Sequence, residues 1–383
     1  MKPTFHRLIF WSHLIIGLLA GVVILSMAVT GLLISYETQI LDWAHRDLRV
    51  TPGGAHLDVE TLVAKVREAK PELVPTGITW KANPEMPVTL TVGKEGVFYA
   101  NPYTGAFLGE GHRAWRDFFH AATEWHRFLS GTGLPRETGK AITGAGNLLF
   151  GLLLLSGLYL WWPRQWRWVN VRAVLLFNPR LRGRARNWNW HNVFGFWSAL
   201  PLLFIILTGL VMSYGWANNL LFTLAGSKPP PPKERREGGP RGAGGPDRRE
   251  ASGPREKSMP TLSGLAPLLA QVKQQMPGWT TLSLRMPQTP GAPFSLMVDR
   301  GGRGQVHLRT MLNLDASQGK VLPSPDDFLQ QNLGRRLRMY ARFLHTGELF
   351  GFFGQTVAAL CTLCTIILIW TGFALAWRRF VKP

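Results

Sequence analysis

The segment Trp190–Ser213, WHNVFGFWSALPLLFIILTGLVMS, decides the fold class of this chain. From Val193 to Trp216 the sequence contains no Lys, Arg, Asp or Glu. A run of about 20 such residues is long enough to cross the roughly 30 Å hydrocarbon core of a bilayer as a helix. A histidine, His191, stands at the start of this apolar run, either as a residue at the headgroup level or as a ligand within the membrane.

Three further runs share this composition, namely Trp11–Tyr36, Ala141–Trp162 and Phe350–Trp377. Tryptophan and tyrosine cluster at the ends of the runs, where amphipathic rings favour the boundary between lipid and water. The first run is longer than the apolar core of a signal peptide and lacks a clean cleavage site, so we interpret it as an uncleaved anchor. The pattern predicts an α-helical integral membrane protein with four transmembrane helices.

The distribution of positive charge predicts the orientation of these helices. Short cytoplasmic loops are rich in Lys and Arg, so we expect both termini and the loop between the second and third runs to be cytoplasmic. The net charge of +20 (43 basic minus 23 acidic residues) lies mainly beside membrane ends and in one linker, and therefore does not indicate a nucleic-acid partner. The basic residues of the termini and of this loop are Lys2, Arg7, Arg164, Arg167, Arg172, Arg180, Arg182, Arg184, Arg186, Arg378, Arg379 and Lys382.

The chain contains an internal duplication. A shift of 178 residues (191 minus 13) aligns the first apolar helix with the third, and a shift of 215 (342 minus 127) aligns the second with the fourth. This duplication predicts two pseudo-repeated helix pairs. Aligned residues include His13 with His191, Gly17 with Gly195, Thr30-Gly31 with Thr208-Gly209, Arg127 with Arg342, and Gly157 with Gly372.

Each repeat also carries a soluble segment between its two helices, on the side opposite the basic loop, which is the periplasm. LDVETLVAKVREAKP and LSGLAPLLAQVKQQMP have helical spacing, and each precedes a series of short strand patterns. These segments predict two small α+β domains. The Pro, Gly and charged residues of 227–258 predict a disordered linker.

These patterns place the domain boundaries. We expect the N-terminus and first transmembrane helix over 1–36, soluble domain 1 over 37–125, the second helix with its periplasmic lead-in over 126–163, the basic cytoplasmic loop over 164–190, the third helix over 191–216, the linker over 227–258, soluble domain 2 over 259–340, and the fourth helix with the C-terminus over 341–383.

Histidines and glycines on the first and third helices predict a cofactor site. Eighteen residues (31 minus 13) are about five helical turns, so the histidine and the distant glycine of each helix share a face. An imidazole to bind iron and glycines that admit a flat macrocycle suit a haem, whereas the alternative is that the glycines only allow close helix packing. The residues are His13, Gly17 and Gly31 on the first helix and His191, Gly195 and Gly209 on the third.

The second and fourth helices offer a second pair of ligands, His126 and His345, which do not align strictly in the repeat. His120, six residues before His126, is the reserve ligand. Arg127 and Arg342 do align, and a guanidinium can bind a haem propionate through two hydrogen bonds.

Together these residues predict two b-type haems in the chain. One lies near the cytoplasmic face between His13 and His191, and the other lies near the periplasmic face between His126 and His345. Two histidines on each iron leave no open position, which favours electron transfer over oxygen chemistry. Because the chain has no CxxCH and no GxGxxG motif, it lacks the signals for covalent haem attachment and nucleotide binding, so we expect a separate electron donor.

The motifs SHLIIGLLAGVVILSMAVTGLLIS, WHNVFGFWSALPLLFIILTGLVMS, WHRFL, LHTGELFG and TGFALAWRR resemble those of the PepSY-associated transmembrane proteins. The soluble segments resemble PepSY domains, with NPYTG and LDASQG as their turns. This family includes bacterial inner-membrane ferric-siderophore reductases, and the chain is most similar to the ferrioxamine type. The resemblance implies two b haems per chain, held by His13, His191, His126 and His345, and release of Fe(II) from a hydroxamate-type Fe(III)-siderophore.

The resemblance and the spans also define the expected partners: the lipid bilayer, an Fe(III)-siderophore, and a cytoplasmic or quinone electron donor. One alternative is a membrane-anchored PepSY-type module that binds a periplasmic protein or peptide by strand addition. Another is a siderophore permease, which the absence of carboxylates and lysines from the apolar runs makes the weaker alternative.

Overall fold

The computed structural model describes residues 3–93, 96–163, 165–230, 260–287, 289 and 291–381, which form two compact units. The described residues of Met1–Glu37, Phe118–Pro240 and Leu337–Pro383 form the helical unit, and those of Thr38–Asp117 and Arg241–Arg336 form the sheet unit. The linker predicted over 227–258 lies outside the described residues from position 231 onward.

Helices occupy most of the described chain. Pro3 begins the first helix, where its missing N–H is not needed for helical hydrogen bonding. The side chain of Asp58 caps α3 by accepting a hydrogen bond from the Thr61 N–H at 2.7 Å. The helices are α1 (Pro3–Ile34), α2 (Glu37–Ala44), α3 (Val59–Ala69), α4 (Arg113–Phe128), α5 (Arg136–Trp161), α6 (Trp168–Leu175), α7 (Gly183–Ser213), α8 (Gly215–Leu224), α9 (Leu265–Gln275), α10 (Leu333–His345) and α11 (Gly351–Phe380).

Within the described residues, four segments are long and apolar enough to cross a membrane: Thr4–Ile34, Arg136–Trp161, Gly183–Ser213 and Glu348–Phe380. They confirm the prediction of a mainly helical protein with four helices whose length and composition suit membrane spans. The α7 helix begins at Gly183, well before the apolar run at Val193, so its first turns carry Arg184 and Arg186.

The four long helices pack in a ring, in which α1 and α7 each contact both α5 and α11. Buried side chains from α5, α7 and α11 form the centre of this packing, including Leu154, Leu202 and Ile206. Cys361 is a free cysteine in the same cluster and contributes a small side chain to it. The ring brings residues of all four long helices to one interior.

The described residues of the sheet unit form one antiparallel sheet of eight strands in the order β4-β3-β2-β1-β5-β6-β7-β8. Alternate residues of these strands are buried against α3 and α9 on one face. The strands are β1 (Gly77–Lys81), β2 (Val88–Val92), β3 (Gly96–Ala100), β4 (Phe107–Gly109), β5 (Thr281–Arg285), β6 (Phe294–Asp299), β7 (Arg309–Asp315) and β8 (Lys320–Pro323).

The two soluble segments, which the sequence presents separately, meet where β1 pairs with β5. Ile78 lies opposite Leu284 in this register, and both side chains are buried. The hydroxyl groups of Thr79 and Ser283 are 3.0 Å apart across the same junction. Each segment supplies one helix and four strands to a shared hydrophobic core.

The turns of NPYTG and LDASQG are closed by side chains. Asn101 Oδ1 accepts a hydrogen bond from the Tyr103 N–H at 2.8 Å, and Asp315 Oδ1 accepts one from the Ser317 N–H at 3.0 Å. Gly105, in the first turn, has a φ of 76°, a left-handed conformation that glycine adopts without steric cost. These local interactions explain why both motifs stand between strands.

Replacing Leu284 by Ala should loosen β1 as well as β5, because the cavity lies in the core that the two segments share. A buried Leu→Ala change costs about 2–5 kcal/mol. We therefore expect amide exchange in β1 to accelerate by at least about tenfold, measured by hydrogen–deuterium exchange of the full chain in detergent. The control is Arg285→Ala, since Arg285 is the exposed neighbour. Unchanged exchange in β1 of the Leu284→Ala variant would contradict a shared core.

Candidate cofactor site in the helical unit

His13 of α1 and His191 of α7 face each other inside the helical unit. Their ring centroids are 6.4 Å apart and their planes are nearly perpendicular, at 88°. With metal–nitrogen bonds of about 2 Å, two imidazoles on opposite sides of one ion would have centroids about 6 Å apart. The two rings are therefore separated by the distance at which both can bind one iron atom.

The neighbouring transmembrane helices hold one nitrogen of each ring. His13 Nδ1 is 2.9 Å from the hydroxyl of Ser156 on α5. His191 Nδ1 is 2.9 Å from the hydroxyl of Thr371 on α11. Each histidine is thus tied to a helix other than its own, which limits rotation of the imidazole.

The hydrogen bonds of these hydroxyls determine the tautomer of the histidines. Ser156 donates its only hydroxyl proton to the Leu152 carbonyl at 2.6 Å, and Thr371 donates its proton to the Ile367 carbonyl at 2.8 Å. Each hydroxyl must then accept from the imidazole, so Nδ1 carries the proton. The lone pair of Nε2 is consequently the one that can bind a ligand.

Glycines leave space beside both rings. A Cβ atom at Gly157 would lie 3.3 Å from His13 Cε1, and one at Gly372 would lie 3.6 Å from His191 Cε1. Gly17 and Gly195 are the glycines that the sequence predicts to admit a flat macrocycle. Cβ atoms at these two positions would lie 3.7 and 3.6 Å from side chains of other helices. All four glycines line one cavity that also contains both histidines.

This cavity has a volume of about 540 Å³, within the range of roughly 300–1,000 Å³ typical of cofactor sites. Most of its lining is apolar, but it also includes Arg184 and Arg379. Arg379 is held over the rings of Phe10 and Trp11, at 4.8 and 5.0 Å from their centroids. The arrangement combines two imidazoles, an apolar space and two cations, which are the groups that a haem with its propionates requires.

His126 and His345 occupy a second region of the helical unit. The two histidines do not align strictly in the repeat, but the residues that they contact do. The partners of His345 stand 178 positions after those of His126 (205 minus 27 and 208 minus 30), which is the shift that aligns the third helix with the first. The partners of His126 Nδ1 are the Met27 carbonyl at 2.9 Å and Thr30 Oγ1 at 3.2 Å, and those of His345 Nδ1 are the Ile205 carbonyl at 2.9 Å and Thr208 Oγ1 at 3.1 Å.

These contacts again place the proton on Nδ1, because a backbone carbonyl only accepts hydrogen bonds. Burial, together with the nearby His345, lowers the pKa of His126 to about 4, and burial also lowers the pKa of His345. Both imidazoles are therefore neutral near pH 7, as metal ligation requires. His120, the reserve ligand, has an exposed side chain on α4.

A repeated Ser/Thr-Gly dipeptide provides these contacts, and its role is not apparent from the sequence alone. In each transmembrane helix a serine or threonine precedes a glycine, and its hydroxyl bonds a histidine from another helix. Three of the four glycines also lie beside the imidazole. The dipeptides are Thr30-Gly31, Ser156-Gly157, Thr208-Gly209 and Thr371-Gly372.

The sequence predicts that Gly209 leaves space for a macrocycle, but the structure fills this space with a side chain. A Cβ atom there would lie 2.9 Å from Nδ2 of Asn147, which donates a hydrogen bond to the Ile206 carbonyl at 3.0 Å. Gly209 therefore accommodates a buried amide of α5. Gly31, its partner in the repeat, does lie against a histidine, with 3.2 Å between its would-be Cβ and His126 Cε1.

The arginines expected to bind propionates are placed against aromatic rings. The Arg127 guanidinium lies 4.8 Å from the Phe128 ring centroid, and that of Arg342 lies 5.6 Å from the Phe343 centroid. Among the described residues, no group of three or more His, Cys, Asp or Glu side chains is placed to hold a metal ion. The candidate ligands of this unit therefore occur as two pairs of histidines.

The family model described as the PepSY-associated TM region matches residues 10–379, which is nearly the whole chain. No curated protein matches the chain.

If His13 and His191 bind a haem as the sequence predicts, replacing Thr371 by Val should weaken haem binding by about 10- to 100-fold, because His191 would lose the group that orients it. Haem retention during competition with a haem-binding apoprotein measures the change. Thr365→Val is the matched control, since Thr365 is buried on the same helix and its hydroxyl bonds the Cys361 carbonyl instead of a histidine. Equal haem loss from both variants would show that Thr371 acts only through helix packing.

Proposed function

The chain belongs to the PepSY-associated transmembrane family, and from this premise we propose that it is a di-haem b ferric reductase of the bacterial inner membrane. It passes electrons across the membrane, reduces an Fe(III)-siderophore in the periplasm and releases Fe(II). Its termini and basic loop lie in the cytoplasm, and its sheet unit lies in the periplasm.

The observation that carries this proposal is the common state of the four histidines. In every case Nδ1 bonds a hydroxyl or carbonyl of another helix, and Nε2 retains its lone pair. A neutral imidazole oriented through Nδ1 is the form that binds haem iron. A binding module that used its helices only as anchors would have no need for four such groups inside an apolar unit.

The inner site would be held by His13 and His191, with the glycines of the cavity giving the macrocycle room beside the helix backbones. Arg184 and Arg379 provide positive charge in the lining of the same cavity, where propionates would bind. A haem held by each histidine pair would supply a one-electron carrier. The surrounding side chains are mostly apolar.

The outer site would be held by His126 and His345. Both are oriented by the same pair of contacts, a backbone carbonyl and a threonine hydroxyl. Their lead-in helices, α4 and α10, join the soluble segments to the membrane spans in each half of the chain. We propose that this site faces the periplasmic substrate.

The substrate reaction is a one-electron reduction of Fe(III) to Fe(II) in a siderophore complex. Hard hydroxamate oxygens suit Fe(III) better than Fe(II), so the added electron weakens the complex and allows iron to leave. The electron comes from a cytoplasmic or quinone donor, because the chain carries no nucleotide-binding motif.

Haem stoichiometry tests the proposal and separates the two sites. The wild-type chain should contain about two b haems with reduced spectra of six-coordinate iron. Both His13→Ala/His191→Ala and His126→Ala/His345→Ala should retain about one, because each double change removes the ligands of a single site. The pyridine haemochrome assay measures these values. His120→Ala is the control and should retain both haems; loss of one haem from it would assign the outer ligand to His120.

Electron delivery is tested with protein that has been reduced and separated from the reductant. On mixing with a hydroxamate Fe(III)-siderophore, the wild-type haem should reoxidise while an Fe(II) chelator gains colour in equal amount. The His126→Ala/His345→Ala variant should reoxidise at least about tenfold more slowly, because its remaining site lies farther from the substrate. Wild-type protein that binds haem but never transfers an electron to the siderophore would refute ferric reduction while leaving the haem sites intact.

A further inference from the structure

A third pair of histidines lies in the sheet unit. His45 stands in the short 3₁₀ helix His45–Leu48 that follows α2, and only 8% of it is exposed. His112 precedes α4, and its ring centroid is 5.8 Å from that of His45. The two residues are 67 positions apart in the chain (112 minus 45), and the fold brings their rings together.

One nitrogen of His45 lacks the partner that burial demands. Within the part of the chain that the structure describes, His45 Nε2 has no hydrogen-bond partner although it is buried. The Leu41 carbonyl accepts a hydrogen bond from the same ring, which leaves Nε2 as the unprotonated nitrogen. A buried lone pair without a donor is costly, and a bound cation would satisfy it.

His112 is oriented in the way that is typical of a metal ligand. Its Nε2 lies 3.0 Å from Asp47 Oδ2, and Asp47 belongs to the same 3₁₀ helix as His45. A carboxylate on one imidazole nitrogen orients the ring and makes the other nitrogen more basic. The nitrogen left for a ligand is Nδ1.

The surroundings hold the two rings in place. Gly111 has a φ of 65°, and a Cβ atom there would come within 2.8 Å of His45 Cδ2, so a side chain at this position would displace the imidazole. The centroid of the Tyr99 ring lies 5.1 Å from that of His45. Two charges are close to the pair, a negative one on Asp47 and a positive one on Arg116, whose Nη1 donates a hydrogen bond to the Glu110 carbonyl at 2.6 Å.

We infer that His45 Nε2 and His112 Nδ1 bind one divalent first-row transition metal ion, with water in the remaining positions. Two imidazoles that share one ion have ring centroids up to about 6 Å apart, because each centroid lies about 3 Å from the metal. The observed 5.8 Å falls within that limit. Imidazole suits Zn²⁺, Cu²⁺, Ni²⁺ and Fe²⁺, so these ions define the ligand class. This site does not depend on the proposed electron transfer.

The test uses the full chain in detergent, with Cu²⁺ and Zn²⁺ as separate probes. One equivalent of Cu²⁺ should show electron spin echo modulation from two imidazoles in the wild-type protein and from one in His112→Ala. Zn²⁺ affinity, measured by calorimetry, should fall by about 10- to 100-fold in His112→Ala. Because His112 is exposed, this substitution preserves the core.

His307→Ala is the matched control, since His307 is an exposed histidine of the same unit. It should leave both the affinity and the imidazole count at the wild-type values. Asp47→Asn should weaken Zn²⁺ binding while retaining two imidazoles, because Asp47 orients His112 without binding the ion. Equal Zn²⁺ affinity in wild type and His112→Ala, or an unchanged imidazole count in His112→Ala, would overturn the inference whatever the haem content of the protein.

Discussion

The hydrogen bond from a histidine Nδ1 to a neighbouring helix is the interaction on which the helical unit depends. An imidazole inside an apolar unit needs partners for its polar atoms, because water is not available to satisfy them. The hydroxyls of Ser156 and Thr371 meet this need only as acceptors, since their own protons are already bonded to carbonyls of their helices. Each histidine is thereby held as one tautomer, with the opposite nitrogen directed to a possible ligand.

The same interaction explains why glycine follows the hydroxyl residue. A Cβ atom at Gly157 would lie tightly against the imidazole that Ser156 orients, at 3.3 Å, and one at Gly372 would be in van der Waals contact with the imidazole that Thr371 orients, at 3.6 Å. Hydrogen bonding and close approach therefore come from one dipeptide, and they link helices that are far apart in sequence. Because His13 is oriented by α5 and His191 by α11, the packing of the helix ring and the geometry of the cavity are inseparable.

The sheet unit depends on a different constraint, the completion of one hydrophobic core by two distant segments. Ile78 and Leu284 pair at the junction of β1 and β5, although about half of the chain separates them. Without the other segment, β1 and β5 would each be an unpaired edge strand of a four-stranded sheet. The pairing also determines which side chains stand together on the sheet, and in the same unit the fold brings His45 to His112.

The sequence by itself determined the four membrane spans, the strand patterns and the histidines that repeat between the first and third helices, because hydropathy and periodicity depend on composition and local order. Only the tertiary structure decided the partners: which hydroxyl orients each imidazole, that Gly209 accommodates Asn147, and that Arg184 and Arg379 line the cavity. It also decided that β1 joins β5. Helix rotation and long-range strand register follow from packing among distant residues, and no local pattern encodes them.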